Sequence, residues 1–398
     1  MRILLAHNYY QQSGGEDQVV AAESGLLRRK GHALFQFTRQ NSDIEGMSRL
    51  RVARDTLWNP AVYREIRQTI RRERIDVVHF HNTFPLVSPA AYYAARSERV
   101  PVIQTLHNYR LLCPGSLLYR EGRVCESCMD RLVPWPGVLH SCYRKSRAQT
   151  TGVAGMLTFH RMLRTWSRAV DTYIALTEFS RDKFVQGGLP GNKITVKANF
   201  LDTDPGEGER PGEVGYALYA GRLAEDKGIR VLLDAWEALP SPWPLRIAGA
   251  GPLLEYTRDR AKHLPHVEVC GGMSHDRVLE LMKGASVLIV PSLWYEGLPT
   301  TVIEAYATGL PVIASDLGSL RSLIGEGVTG YRFPAGDSRA LAGCVERMLA
   351  PDHDRAAMGV NARAVFQQNY SPDVSYQALL SIYQRALERK GENGHAGK

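Results

Sequence analysis

The sequence predicts an α/β protein built from two doubly wound domains in tandem. Three observations carry this. Short apolar runs alternate with helix-spaced segments along almost the whole chain, the pattern of parallel sheets covered by helices. The alternation is interrupted by DTDPGEGERPGEVG at 202–215, a polar Gly/Pro-rich stretch that reads as a linker or surface loop at a domain boundary. The length, 398 residues, suffices for two ordinary domains.

Taken in order, Arg2–His7 reads as a buried strand, followed by a loop at 8–15. Glu16–Lys30 has helical spacing through Val19, Val20, Leu26 and Leu27, and Gly31-His32 closes it. Ala33–Thr38 is a second strand, and Ile44–Arg74 is mostly helical and basic. Val77–His81 is a strand, Ser88–Arg96 a helix, and Val102–Leu106 a strand ending at His107. A Cys-rich insert at about 113–142 comes next, then an apolar and basic helix over Thr151–Val170. Strand Thr172–Ala175, helix Glu178–Gln186 and strand Ile194–Lys197 complete the first set, a domain over 1–198. The second set begins with strand Tyr216–Ala220 and helix Gly228–Ala238. Strand Leu245–Ala248, helix Leu253–Lys262, strand Val267–Cys270 and helix His275–Lys283 follow. Strand Val287–Val290, helix Pro299–Thr308 and strands Val312–Ser315 and Gly330–Phe333 lead to helices Ser338–Leu349 and Arg355–Gln368. This second domain covers 199–371. An amphipathic helix spans Pro372–Lys390, and 391–398 reads as a disordered tail. Two such domains leave one obvious ligand position, a cleft where the carboxyl ends of both sheets face each other.

The composition, 44% hydrophobic and 23% charged, is that of a soluble globular protein. No apolar run approaches the ~20 residues that span a bilayer. The opening MRILLAHNYY reads as a core strand and not a signal peptide, so the expected compartment is the cytoplasm. The net charge of +8 suits nucleic acid, an anionic membrane surface or a phosphorylated ligand. No nucleic-acid-binding module accompanies it. No acid falls between Asp130 and Asp171, where Arg131, Arg144, Lys145, Arg147, Arg161, Arg164 and Arg168 lie. A second basic run goes from Arg49 to Arg74. Each is either a solvated helix face or a surface that meets anionic lipid or a lipid-phosphate acceptor.

The strongest candidate site is Val287–Gly309, VLIVPSLWYEGLPTTVIEAYATG. A strand delivers the chain to its carboxyl end, Gly297 permits close approach of a ligand, and Pro299 suits a first helical position. Free N–H groups at that helix start attract an anion such as a diphosphate. Glu296 can then reach a sugar hydroxyl, and Glu304 a ribose diol. On spacing alone the two glutamates read more readily as a helix-start charge and an exposed helix residue. Gly221–Gly228, GRLAEDKG, again follows a strand and opens a helix, with Arg222 and Lys227 to neutralise a diphosphate. Gln12-Ser13-Gly14-Gly15-Glu16 could bring N–H groups to a phosphate or a sugar hydroxyl, but lacks the G-x-G-x-x-G dinucleotide pattern. Among the strand-end histidines, His107, followed by Asn108, is the candidate polar or acid–base contact and, with Glu296, the candidate catalytic residue, while His79 reads as a satisfied core residue. Cys113, Cys125, Cys128 and Cys142 have a spacing that suits structural zinc, reduced structural thiols or one redox pair.

These residues together resemble the retaining glycosyltransferases of family 4, which have the GT-B fold. The resemblance covers nearly the whole chain. It is most specific in GRLAEDKG, IAGAGP, the Glu296-x7-Glu304 stretch with Gly-Leu-Pro between, and GVTGYRF; the insert LLCPG…VCESC…SC is similar to that of a bacterial polysaccharide-assembly subgroup. The resemblance implies that Glu296 contacts donor-sugar hydroxyls, Glu304 binds the ribose, and Arg222 and Lys227 hold the diphosphate with the Gly297 and Leu298 N–H groups. It places Gly15 beside the phosphate, His107 at the sugar, and Gly14 and Asn108 on the acceptor side. It implies catalysis without a metal, a UDP- or GDP-linked donor, a glycan or lipid-linked acceptor, no nucleic-acid partner, and a C-terminal helix that returns to the first domain. Asn199-Phe200-Leu201-Asp202 departs from the family's Asn-Gly-Val-Asp. A hexosyltransferase is therefore expected, at the inner face of the cytoplasmic membrane or free in the cytoplasm. A nucleotide-sugar epimerase of the same fold and a non-catalytic glycan-assembly binding protein are the alternatives.

Overall fold

The computed structural model describes every residue except 12–13, 209–214, 242, 351–354 and 396–398, and describes 391–395 by backbone alone. Gln12 and Ser13, part of the 202–215 linker and the last residues of the expected tail lie outside the described residues.

In chain order, β1 (Arg2–Tyr9), α1 (Gly15–Arg29), β2 (Ala33–Gln40), α2 (Arg49–Leu57), α3 (Pro60–Glu73), β3 (Val77–Phe80), α4 (Ala90–Ser97) and β4 (Val102–Leu106) open the chain. The Cys-rich insert holds β5 (Tyr119–Arg120), β6 (Arg123–Val124) and α5 (Trp135–Leu139). After it come α6 (Arg147–Met162), α7 (Thr165–Arg168), β7 (Thr172–Ala175), α8 (Glu178–Gln186) and β8 (Ile194–Val196). Then follow β9 (Tyr216–Ala220), α9 (Ile229–Ala238), β10 (Leu245–Ala248), α10 (Leu254–Ala261), β11 (Val267–Gly271), α11 (His275–Gly284) and β12 (Ala285–Val290). The chain closes with α12 (Thr300–Ala307), β13 (Val312–Ser315), α13 (Ser319–Leu323), β14 (Gly330–Phe333), α14 (Ser338–Leu349), α15 (Arg355–Asn369) and α16 (Pro372–His395).

The chain forms two compact units. The first comprises 1–118, 126–202 and 372–398, the second 119–125 and 203–371. The boundary at 202/203 falls inside the polar linker. The sequence reading left one thing out, that the hairpin at 119–125 belongs to the second unit; α16 belongs to the first, as the resemblance implied. Two expected helices are also divided. Ile44–Arg74 breaks at Trp58, because Asn59 caps a fresh start, its Oδ1 accepting the N–H groups of Ala61 and Val62 ahead of Pro60. The apolar helix starts earlier than expected, where Ser146 caps it through the Gln149 N–H, and ends before Arg164, whose φ of 54° is left-handed. α16 runs on to His395, past the expected end at residue 390.

In the first unit six parallel strands order as β2-β1-β3-β4-β7-β8. The chain leaves β1 for one neighbour, β2, and returns to the other side at β3, so the order reverses there. α16 completes this unit's core. Leu379, Ile382, Tyr383 and Ala386 pack with Ile3, Leu27, Val77, Ile103 and Ile174, burial that stabilises by about 1.5–3 kcal/mol per large side chain.

In the second unit the six strands, again all parallel, order as β11-β10-β9-β12-β13-β14. Counted within the unit this is 3-2-1-4-5-6, the doubly wound nucleotide-binding order, with its reversal between β9 and β12. Ligands in such sheets bind outside the carboxyl ends of the strands at that reversal. The loops after β9 and β12 carry GRLAEDKG and SLWYEGLP.

Candidate functional site

Those two loops meet. Lys227 Nζ lies 2.7 Å from Glu296 Oε1. The same oxygen accepts from Ser292 Oγ at 2.6 Å and from Trp294 Nε1 at 2.9 Å. The Lys227 ammonium also stands over the Trp294 ring at 5.0 Å, a cation–π contact. All three bonds fall on Oε1, and Oε2 makes no hydrogen bond among the described residues. A buried carboxylate can accept at both oxygens, so the arrangement fixes Glu296 and leaves half of its capacity open. Ser319, at the start of α13, clamps the loop further by donating to the Glu296 carbonyl at 2.6 Å.

Backbone geometry holds the loops this close. Gly228 has φ of 70°, and a Cβ there would stand 1.8 Å from the Pro291 carbonyl oxygen. Gly249, after β10, has a Cβ position 1.9 Å from the Gly221 oxygen. No side chain fits at either position without moving backbone. Asp226 also ties the loops, its carbonyl accepting from the Leu293 N–H at 2.8 Å. Its carboxylate takes Arg222 Nη2 at 3.2 Å on each oxygen. One nitrogen of Arg222 is so engaged, and the rest of an exposed guanidinium is available to an anion.

Pro299 caps α12 and does not occupy its first helical turn. The backbone N–H groups of Gly297 and Leu298, just before it, make no hydrogen bond among the described residues. Glu304, one turn into α12, is buried and not exposed as spacing alone allowed. Burial raises its carboxyl above the ordinary range, and His275, whose Nδ1 is 3.9 Å away, opposes that. Its carboxylate forms no hydrogen bond among the described residues, so its acceptor capacity is also unspent.

The first unit gathers a different set at its own sheet reversal. Gly14 caps α1, and its N–H is taken by Asp17 Oδ2 at 3.2 Å, so that donor is spent inside the chain. Gly15 is the first helical residue. Asp17 Oδ1 meets His7 Nε2 at 2.8 Å. Glu16 accepts from Tyr10 OH at 3.0 Å and from Asn108 Nδ2 at 3.4 Å. Burial pushes the Glu16 carboxyl up to about 7, against His7 and the Tyr10 bond, which lower it. His107 Nε2 pairs with His81 Nδ1 at 2.9 Å. Burial, then the neighbouring His79, lowers His81 to about 4; burial, then His81, holds His107 well below its ordinary value. Both rings are therefore neutral at physiological pH, which suits a hydrogen-bonding role and not a proton-donating one.

Beneath them lies a buried polar network that sequence reasoning missed. Glu23 faces His79 Nδ1 at 3.1 Å, His81 Nε2 at 3.3 Å and Lys197 Nζ at 3.3 Å. Burial alone would raise Glu23, but Lys197 and then His79 outweigh it and hold the carboxyl well below the usual range. His79 bonds Thr105 and, from α16, Tyr383, each at 2.8 Å, the satisfied core residue expected of it. Among the described residues, the group of close-set metal-ligating atoms is Glu23, His79 and His81, and it does not include the insert's thiols. The adjacent Lys197 ammonium supplies the positive charge that a cation would otherwise bring.

Similarity to known proteins agrees with this geometry. Residues 13–205 match the Glycosyltransferase Family 4 domain, and 202–365 match Glycosyl transferases group 1. A phosphatidyl-myo-inositol mannosyltransferase of Mycobacterium leprae is 24% identical over 335 residues, 82% of this chain and 78% of that protein. An alpha-D-kanosaminyltransferase of Streptomyces kanamyceticus is 26% identical, covering 80% of this chain and 79% of that one. Among solved structures, Anabaena HepE in complex with UDP superposes with a TM-score of 0.70 at 16% identity over 97% of this chain and 100% of its own. Sucrose-phosphate synthase from Thermosynechococcus elongatus gives 0.72 at 17%, over 98% and 100%. The fold is GT-B. The two matched domains and these relatives support a glycosyltransferase of the family 4 type.

Proposed function

We propose that this glycosyltransferase is a retaining hexosyltransferase, moving a hexose from a UDP- or GDP-linked sugar to a lipid-linked glycan acceptor in exopolysaccharide, capsule or lipopolysaccharide assembly. The observation that carries the reading is the Lys227–Glu296 contact, with Glu296 Oε2 and the Gly297 and Leu298 N–H groups unspent beside it. A nucleotide diphosphate sugar presents the complementary chemistry: hydroxyls for Glu296, a ribose diol for Glu304, and a diphosphate for Arg222, Lys227 and the loop N–H groups. In transfer, positive charge grows at the sugar carbon as negative charge grows on the departing diphosphate. Arg222 and Lys227 stabilise the diphosphate, and its oxygen receives the acceptor proton on the same face that the nucleophile attacks. The names of the relatives support a sugar transferase, and a neighbour's complexes with UDP and UDP-glucose support a nucleotide-sugar donor.

His107, Asn108, Gly14 and Gly15 belong to the sugar and acceptor side of this reading. A lipid-linked acceptor places the enzyme at the inner face of the cytoplasmic membrane. Thermal stabilisation by a panel of nucleotide sugars tests the donor assignment. Stabilisation by none of them removes it, and conversion of a donor without any acceptor marks an epimerase instead. A structural zinc ion on Cys113, Cys125, Cys128 and Cys142 is a separate proposal, supported by thiol spacing alone. Metal analysis of purified protein giving zinc far below one per chain removes it.

A further inference from the structure

The first unit carries an apolar surface that its fold does not cover. Leu132, Trp135, Leu139 and Met162 are each more than half exposed, at 55%, 51%, 53% and 59%. Val133, Phe159 and Leu163 add to them. They lie on α5, the turn before it and the outer face of α6, two helices packed on each other. Between them runs a groove lined by Val133, Trp135, Leu139, Phe159 and Met162, with Arg147 at its edge. Its floor is low because small residues stand there: nothing lies within 4 Å of a Cβ built at Gly155. A glycine inside a helix costs about 1 kcal/mol relative to alanine, and water-facing helix positions are ordinarily polar. Here Ala148, Thr151, Gly155, Phe159 and Met162 form the outward stripe of α6.

The charges of the 131–168 stretch that carries this groove are of one sign. Arg131, Arg144, Lys145, Arg147, Arg164 and Arg168 are all exposed, and among the described residues none of them forms an ion pair with a carboxylate. Arg161, the seventh cation of the stretch, is spent differently: it donates to the carbonyls of Leu111, Leu112 and Arg131 and fastens the insert to α6. The other basic run is unlike this one. There Arg51 and Arg54 pair with Asp55, Arg67 and Arg71 with Glu98, and Arg72 with Glu73. Five arginines of the 49–74 run thus share three carboxylates, whereas none of these six cations of the 131–168 run pairs with one.

We propose that the α5–α6 face docks on an anionic lipid bilayer, with Trp135, Leu139, Phe159 and Met162 entering the headgroup boundary and the six unpaired cations meeting lipid phosphates. Charge complementarity selects this occupant. A second copy of the chain would bring the same six cations against the first six, whereas an anionic bilayer attracts each by about 1 kcal/mol and accepts the apolar stripe. The inference rests on the membrane-peripheral reading above but not on the donor assignment, and the two are measured separately.

The test is flotation of the full-length protein with vesicles of phosphatidylcholine alone or mixed with phosphatidylglycerol, without donor or acceptor. Binding is expected on the mixed vesicles only and should weaken at about 0.5 M salt. Trp135→Ser with Leu139→Ser, and separately Arg144→Glu with Lys145→Glu and Arg147→Glu, should each cut the bound fraction by at least about fivefold. Arg72→Glu, at an arginine already paired with Glu73, should leave it unchanged. Vesicle-induced blue shift of tryptophan emission should vanish in Trp135→Phe. The thermal unfolding midpoint, measured without vesicles or nucleotide, should stay at the wild-type value in all these variants, which shows them folded. Equal binding of wild type and variants, or no binding to mixed vesicles, overturns the proposal. So does a concentration-dependent dimer abolished by the same substitutions with no vesicle binding, which would assign the face to a second copy.

Discussion

Lys227 and Glu296, 69 positions apart in sequence, neutralise each other at 2.7 Å where two loops of one sheet reversal meet. On the proposed donor reading, an arriving diphosphate would draw the lysine and leave the carboxylate, still held by Ser292 and Trp294, for the sugar.

Replacing either partner by alanine should therefore remove more than one contact. Lys227→Ala and Glu296→Ala are each expected to lower transfer by more than about tenfold, roughly 1.4 kcal/mol of transition-state stabilisation, with the melting profile close to wild type. Steady-state kinetics with the donor found by the panel check this, and normal turnover in either variant would sink the assignment. Ser292→Ala should lower turnover less, because Trp294 and Lys227 still orient the carboxylate.

Gly228 is expected to be intolerant of any side chain. With φ of 70° and a Cβ position 1.8 Å from the Pro291 oxygen, Gly228→Ala must move the loop after β12. A loss of about 2–4 kcal/mol is expected, read as a lowered unfolding midpoint together with loss of donor-induced stabilisation. A variant that keeps both would show that the loops are not held this closely.

Glu16 gives a pH signature. Its folded carboxyl is raised to about 7, so between its unfolded value and that point the folded state binds the extra proton. The stability it contributes is complete below the unfolded pKa and is lost as pH rises through about 7. Glu16→Gln should then gain stability relative to wild type on going from about pH 5 to about pH 8, on the order of 2 kcal/mol. Urea midpoints of both proteins across that range decide it, and parallel profiles would refute the shift.

Glu23 runs the opposite way. Its carboxyl is held low by Lys197 and His79, so its contribution is present above the unfolded carboxylate value and fades as pH falls through the folded one. Lys197→Met leaves a buried charge unpaired and should cost about 3–5 kcal/mol. Adding Glu23→Gln should restore a good part of that. A double variant no better than the single one would mean that packing, and not charge, is what Lys197 supplies.

How legible all this was in the sequence follows chain distance. Both sheets and the donor-side loops could be read because each strand, turn and helix start is contiguous, and GRLAEDKG and SLWYEGLP each fit in eight residues. Ser292 and Trp294 lay inside that stretch and went unremarked, since nothing local shows that both converge on Glu296. The Glu23 network was invisible for a different reason. His79, His81, Thr105, Lys197 and Tyr383 come from three strands or their ends and the last helix, and only the sheet order makes them neighbours. Charge counting found two basic runs and could not tell them apart; the carboxylates of Asp55, Glu73 and Glu98 do.

The return of α16 sets an order of events during synthesis. Leu379, Ile382 and Tyr383 are core residues of the first unit, yet they leave the ribosome after all of the second unit has been made. The second unit can reach its native state while the first still lacks part of its interior, with His79 missing the Tyr383 hydroxyl. A nascent chain stopped near residue 371 would thus pair a finished nucleotide-binding-type unit with an unfinished partner, and the last two dozen residues act as the closing step of the first unit's assembly.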